Sequence, residues 1–225
     1  MKKSLYPVLL ALLCFSLQSC FVFGIHQHVS WKTNDAYKRL YKHYNIKNEQ
    51  ELHLDTLYDV SMKKLYANEQ QMRHDHLQPV EYMIFNKQGQ MVCFDVNCYV
   101  HINLLLCGQW NHEKLFDKYP AGSMCKVDSL MTLQQLNGLV LDNNDKPINI
   151  DATNYDYVQV VFFNTVLYRV SKELIRTLHH QDYHGYKVKT LYINSDNNLL
   201  WSAADSTNKE MVRRKLKQMK GHQQS

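Results

Sequence analysis

Glycine and proline are scarce: seven and four in 225 residues. With 45% hydrophobic residues and fifteen tyrosines, that scarcity excludes a disordered or linker-rich chain and leaves compact globular material. No apolar run is long enough to span a bilayer, which takes roughly 20 residues; the longest candidate, residues 5–15, is about half that. Strong charge is missing too. A formal net charge of +5 does not argue for nucleic acid. No Gly-rich phosphate loop, Ser-His-Asp order or close pair of acids stands out. No Cys-x-x-Cys occurs, so the usual source of a low-pKa thiol with its resolving partner is lacking. Internal repeats and low-complexity tracts are also lacking, and no residue set calls for a cofactor.

What is there begins at the start of the chain. Lys2 and Lys3 precede the apolar stretch 5–15, and Leu17-Gln18-Ser19-Cys20 closes it. The charged start and short apolar core suit an export signal. The closing residues resemble the lipobox of bacterial lipoproteins, with an aliphatic residue at −3, a small one at −1 and then cysteine; Gln18 departs from the usual small or apolar residue at −2. The resemblance implies that Cys20 takes a diacylglycerol and that signal peptidase II cuts before it. Phe21 is not the aspartate that holds enteric lipoproteins in the inner membrane, which implies the outer membrane, facing the periplasm or the surface. The competing reading is an uncleaved anchor running on through Phe21-Val22-Phe23, which Ser16, Gln18 and Ser19 interrupt.

Loss of residues 1–19 removes two lysines and no acid, so the formal charge falls from +5 to +3. Cys14 leaves with the signal. Cys93, Cys98, Cys107 and Cys125 then remain, an even number for an oxidising compartment. Structural disulfides follow, with three connectivities open. Cys93 and Cys98 are the close pair, and read as a local bridge or, alternatively, as a redox pair.

Hydrophobic periodicity supplies the elements. Asp35 caps an expected helix with Tyr37, Leu40, Tyr41 and Tyr44 on one face. Residues 52–60 read as a strand, and Ser61 caps an expected helix over 62–72. Residues 80–85, the turn Asn86-Lys87-Gln88-Gly89 and the return 90–94 form the best hairpin signal in the chain. Residues 129–141 read as helix or extended, and 143–147 as a loop. Beyond it, a strand at 157–163, a helix at 171–180 and a strand at 187–194 read as a βαβ unit with parallel strands. A last helix at 208–220 carries Lys209, Arg213, Arg214, Lys215, Lys217 and Lys220; it suits either an anionic lipid surface or plain solvation.

The stretch Phe162-Phe163-Asn164-Thr165-Val166-Leu167-Tyr168-Arg169-Val170-Ser171-Lys172-Glu173-Leu174 resembles the first strand and helix of thioredoxin-like proteins. In that register Glu173 and Leu174 match directly, and Ser171 replaces the family's lysine. Leu167 and Val170 stand where the family carries its two cysteines. Residues 188–196 resemble the family's next strand, which commonly ends in an aspartate. The family's remaining hairpin begins with a proline, and 78–90 has that look, although it comes earlier in the chain. The resemblance implies a thioredoxin-like mixed sheet flanked by helices, α/β or α+β in class, with permuted strand order. It also implies a scaffold without its nucleophile, since hydrocarbon side chains cannot exchange disulfides.

Three further constellations are candidates for chemistry. His179, His180 and His184 are weak metal candidates, because His180 and His184 share a face if the helix continues. His74-Asp75-His76 is a second polar cluster, expected at an exposed helix end. Trp110-Asn111-His112-Glu113 reads as a sugar- or peptide-binding loop, or as a buried Trp flanked by turn residues.

The organisation expected is a signal at 1–19 and a tether at 20–34. An N-terminal α/β region at 35–142 holds the hairpin 79–94, and a C-terminal thioredoxin-like region at 143–225 shares its sheet. The function expected is that of a lipid-anchored cell-envelope protein that binds or holds an envelope protein partner and is not a catalyst. The alternatives are a thiol-disulfide oxidoreductase using Cys93 and Cys98, and a metal-binding lipoprotein.

Overall fold

The computed structural model describes residues 31–47, 51–97, 101–103, 106–111, 114–120 and 125–204. The signal with Cys20, Cys98, His112, Glu113 and the expected helix at 208–220 lie outside the described residues. Six strands form one mixed sheet: β1 (Leu52–Leu54), β2 (Glu81–Asn86), β3 (Met91–Val96), β6 (Val140–Leu141), β7 (Tyr157–Phe163) and β8 (Val188–Asn194). Their order is β3-β2-β7-β8-β1-β6. Strands β4 (His101–Asn103) and β5 (Leu106–Gln109) pair separately.

The hairpin β2–β3 is antiparallel, and β2 runs antiparallel to β7. β7, β8 and β1 are parallel to one another, and β6 closes the sheet antiparallel to β1. The four strands β3-β2-β7-β8 have the thioredoxin-like order, with the hairpin placed ahead of the βαβ unit in the chain. Strands from before and after the loop 143–147 therefore interleave in one sheet.

Alternation along the strands makes two cores. Met83, Phe85, Val158, Val160, Phe162, Leu191 and Ile193 face one layer, with Tyr58 and Met62 of α2 (Tyr58–Leu65) and Met72 of α3 (Glu69–His76). Tyr82, Ile84, Val161, Phe163 and Tyr192 face the other, against Leu174, Ile175 and Leu178 of α5 (Tyr168–His179) and Tyr41 of α1 (Asn34–His43). β2 and β7 are buried on both faces, which explains their near-continuous apolar runs. In the hairpin turn, the Asn86 carboxamide accepts from the amides of Gln88 and Gln90. Gly89 takes φ +75, where a side chain would be strained.

Several boundaries differ from expectation. The first helix is capped by Thr33, whose hydroxyl accepts from the Ala36 amide, and not by Asp35. The strand expected over 52–60 stops at Leu54, because the Asp55 carboxylate takes the Leu57 amide and turns the chain into α2. The helix expected over 62–72 is two helices, and Asn68 caps the second. Residues 129–141 hold only the short helix α4 (Leu133–Leu136) and β6. A helix not foreseen, α6 (Asp196–Ala203), follows β8 and packs on β1 and α2.

Candidate functional site

The head of α5 is where a thioredoxin-like fold would do its chemistry. The helix begins three residues earlier than its periodicity suggested, with Leu167 at the N-cap and Val170 inside the first turn. Asn164, at the end of β7, organises the site. Its carboxamide oxygen accepts from the Leu167 amide at 2.8 Å, and its NH2 donates to the Pro79 carbonyl at 2.7 Å. The Pro79 loop and the helix head, far apart in sequence, thus meet through one side chain. The Gln78–Pro79 peptide is trans, whereas Tyr119–Pro120 is cis.

The loop after β7 is held from four sides. Ser171 accepts from the Asn164 amide and donates to its carbonyl, which Tyr44 also engages. Ser195 donates to the Pro79 carbonyl at 2.8 Å. The Asp196 carboxylate takes both the amide and the hydroxyl of Thr165. Burial raises Asp196 above the usual carboxylate range, a rise that the Thr165 amide opposes. The Leu167 amide, the Pro79 carbonyl and the Thr165 amide and hydroxyl beside the helix head are thus satisfied internally. Leu167 and Val170 add only hydrocarbon. Trp110 is 1% exposed and donates its indole N–H to the Val170 carbonyl, so it is a buried wedge and not a binding loop.

A second polar site lies on the opposite face of the sheet, and sequence reasoning placed it wrongly. His76 is fully buried, not exposed at a helix end. Its Nδ1 lies 2.8 Å from Glu81 Oε1 and its Nε2 lies 2.9 Å from Asp128 Oδ2. Tyr66 donates to the same Asp128 oxygen at 2.7 Å. Glu81, at the start of β2, is completely buried, and its other oxygen has no protein partner. Asp128 and Tyr66 border a cleft of about 620 Å³, with Phe94, Asn68, Gln71 and Asp75 among its walls.

The electrostatics follow from this sandwich. Burial by itself would depress His76, but the Glu81 and Asp128 carboxylates outweigh it and lift the imidazole to about 9. Burial raises Glu81, against the pull of the His76 cation. Burial would raise Asp128 as well, but hydrogen bonds from the Tyr66 hydroxyl, the Leu130 amide and His76 hold it below its ordinary value. A raised His76 contributes stability that is complete below about pH 6.5 and lost as pH rises through 9. Glu81 acts with the same sign, losing stability as pH climbs above the usual carboxylate range. Unfolding free energy should therefore fall between pH 6.5 and 9.5, by about 3 kcal/mol from His76 at roughly 1.4 kcal/mol per pKa unit. Urea unfolding at the two pH values checks this; a flat profile would show that His76 is neutral when folded.

The cysteines pair differently from expectation. Cys93 bridges Cys125, 32 positions further along the chain, with Cα atoms 5.2 Å apart, and not its near neighbour Cys98. β3 directs Cys93 into the α5-side core, where it is fully buried, and Cys125 is brought to it in space. Cys107 lies on β5, its side chain outside the described residues. The histidine trio is also dispersed by geometry. α5 stops at His179, His180 is its C-cap, and His184 takes φ +51 in the following loop, so His180 and His184 share no helix face. Among the described residues no three His, Cys, Asp or Glu side chains are grouped to hold a metal ion. No protein-family model, curated protein or solved structure matches the chain.

Proposed function

We propose that the chain is a lipid-anchored cell-envelope protein whose thioredoxin-like domain binds or holds an envelope partner and does not catalyse thiol exchange. One observation carries the second half. The head of α5 offers Leu167 and Val170 where a nucleophile would stand, and Asn164 occupies the amide and the Pro79 carbonyl beside them. A helix N-terminus can lower a thiol's pKa only if a thiol is there. The anchor rests on Lys2, Lys3, the short apolar run and the Leu17–Cys20 closure. No helix among the described residues is long and apolar enough to cross a membrane.

Expression in a bacterial host with a radiolabelled fatty acid tests the anchor. The wild-type chain should take label, sediment with membranes and shorten by residues 1–19. Cys20→Ala should lose all three. Retention of label by Cys20→Ala would remove the anchor from the reading, and disulfide reductase activity from the wild-type chain would remove the passive domain.

A further inference from the structure

We infer that the Cys93–Cys125 bridge is a redox-exchange site that latches residues 125–131 over the buried His76–Glu81 pair, and that a dithiol reductant opens it. This does not rest on the proposed function, since it needs neither the anchor nor the head of α5.

The segment runs from one face of the sheet to the other around the β3 edge. Cys125 packs on the α5 side with Cys93, while Asp128 reaches His76 and Tyr66 on the opposite side. Between them the Phe94 amide donates to the Lys126 carbonyl at 2.8 Å. None of the side chains of 126–130 is buried, and Val127 and Leu130 are 60% and 49% exposed. With so little buried surface, the stretch is held by its covalent tie and by the Asp128 hydrogen bonds to His76 and Tyr66, and cutting the tie leaves those bonds to hold it against local opening. At its far end Met131 is fully buried and Thr132 bridges Gln90, which gives the strap a fixed hinge.

The two sulfurs are unequal. Cys93 is fully buried and Cys125 is half-buried, so an incoming thiolate meets the Cys125 sulfur first. Attack there forms a mixed disulfide and expels the Cys93 thiolate, which takes a proton. The second thiol of the reductant then attacks its own sulfur in the mixed disulfide and releases the Cys125 thiolate, which is protonated in turn. The protein gains two electrons and two protons, and the dithiol leaves as a disulfide. The freed strap carries Asp128 away from His76. The groups left facing His76 are Glu81 from β2, Tyr66 beyond α2, Asp75 on its own helix and the Phe94 ring, with Lys126 departing on the strap.

The test uses the full chain in native buffer with millimolar dithiothreitol. Peptide mapping assigns each thiol, so other cysteines do not confuse the reading. The bridge should reduce without global unfolding, and amide exchange across 126–130 should quicken roughly tenfold or more. The His76 pKa, followed by NMR, should fall from about 9 toward 6.5. Asp128→Asn should lower it with the bridge intact, and Cys125→Ser should behave like the reduced wild type. Should Cys125→Ser fail to fold, the wild-type titration decides alone. A bridge that yields only when the protein unfolds, or that is reduced with exchange and His76 unchanged, overturns the inference.

Discussion

Replacing His76 by alanine should destabilise the protein by about 3–5 kcal/mol, because it leaves the Glu81 carboxylate buried without its counter-charge. Glu81 and His76 are both sealed from solvent, and Glu81 Oε1 has His76 as its hydrogen-bond partner. Asp128 would fare better, since it keeps the Tyr66 hydroxyl and the Leu130 amide and is partly exposed. Burial would then push Glu81 further up, until it folds as the neutral acid and the variant is most stable at low pH. The double variant His76→Leu, Glu81→Met should recover much of the loss, since apolar side chains of similar volume commonly replace a buried ion pair at little cost. Urea denaturation of His76→Leu, Glu81→Met and the double, compared as a cycle, gives the coupling. A loss under about 1 kcal/mol for His76→Ala would mean that the pair does not meet as ions.

This pair also shows where sequence reasoning stops. His74-Asp75-His76 is polar on its face, and nothing local distinguishes a histidine that will be buried from one that will not. What buries His76 is Glu81, carried in at the start of β2, and Asp128, carried in by a strap 52 residues away. Cys93 is the same case in covalent form. Its neighbour along the chain is Cys98, but the pleat of β3 turns its side chain into the α5-side core, and its partner in space is Cys125. Both depend on contacts with no period and no spacing.

The sheet was far more legible. The hairpin and the βαβ unit have strands long enough for alternation to repeat and a helix amphipathic enough to declare its inner face. The permuted order could be expected from a proline-led hairpin found ahead of a strand–helix–strand. The elements missed are those without repetition. β1 has three residues before Asp55 turns the chain, too few for a pattern. α6 begins with three polar residues that are nonetheless buried, and β1, α2 and hydrogen bonds from Asn197 and Asn198 hold it in place.

The largest gain expected from any substitution follows from the register at α5. Leu167→Cys with Val170→Cys would put sulfurs at the N-cap and three residues on, the spacing that lets a helix head stabilise a thiolate while a second thiol waits within reach. The pair should form a disulfide that dithiothreitol reduces in the native state. The residue-167 thiol should titrate below the ordinary value of about 8.5, and a reductase assay should rise from background to a measurable rate. Removing the Asn164 carboxamide as well should lower that thiol further, because the Leu167 amide now bonded to Asn164 Oδ1 would be released toward the sulfur. The single variant Leu167→Cys separates the two contributions: it should show the lowered pKa without the bridge. If the residue-167 thiol titrates like a free cysteine in both variants, the scaffold does not retain an activating helix head, and the likeness to thioredoxin is one of strand order alone.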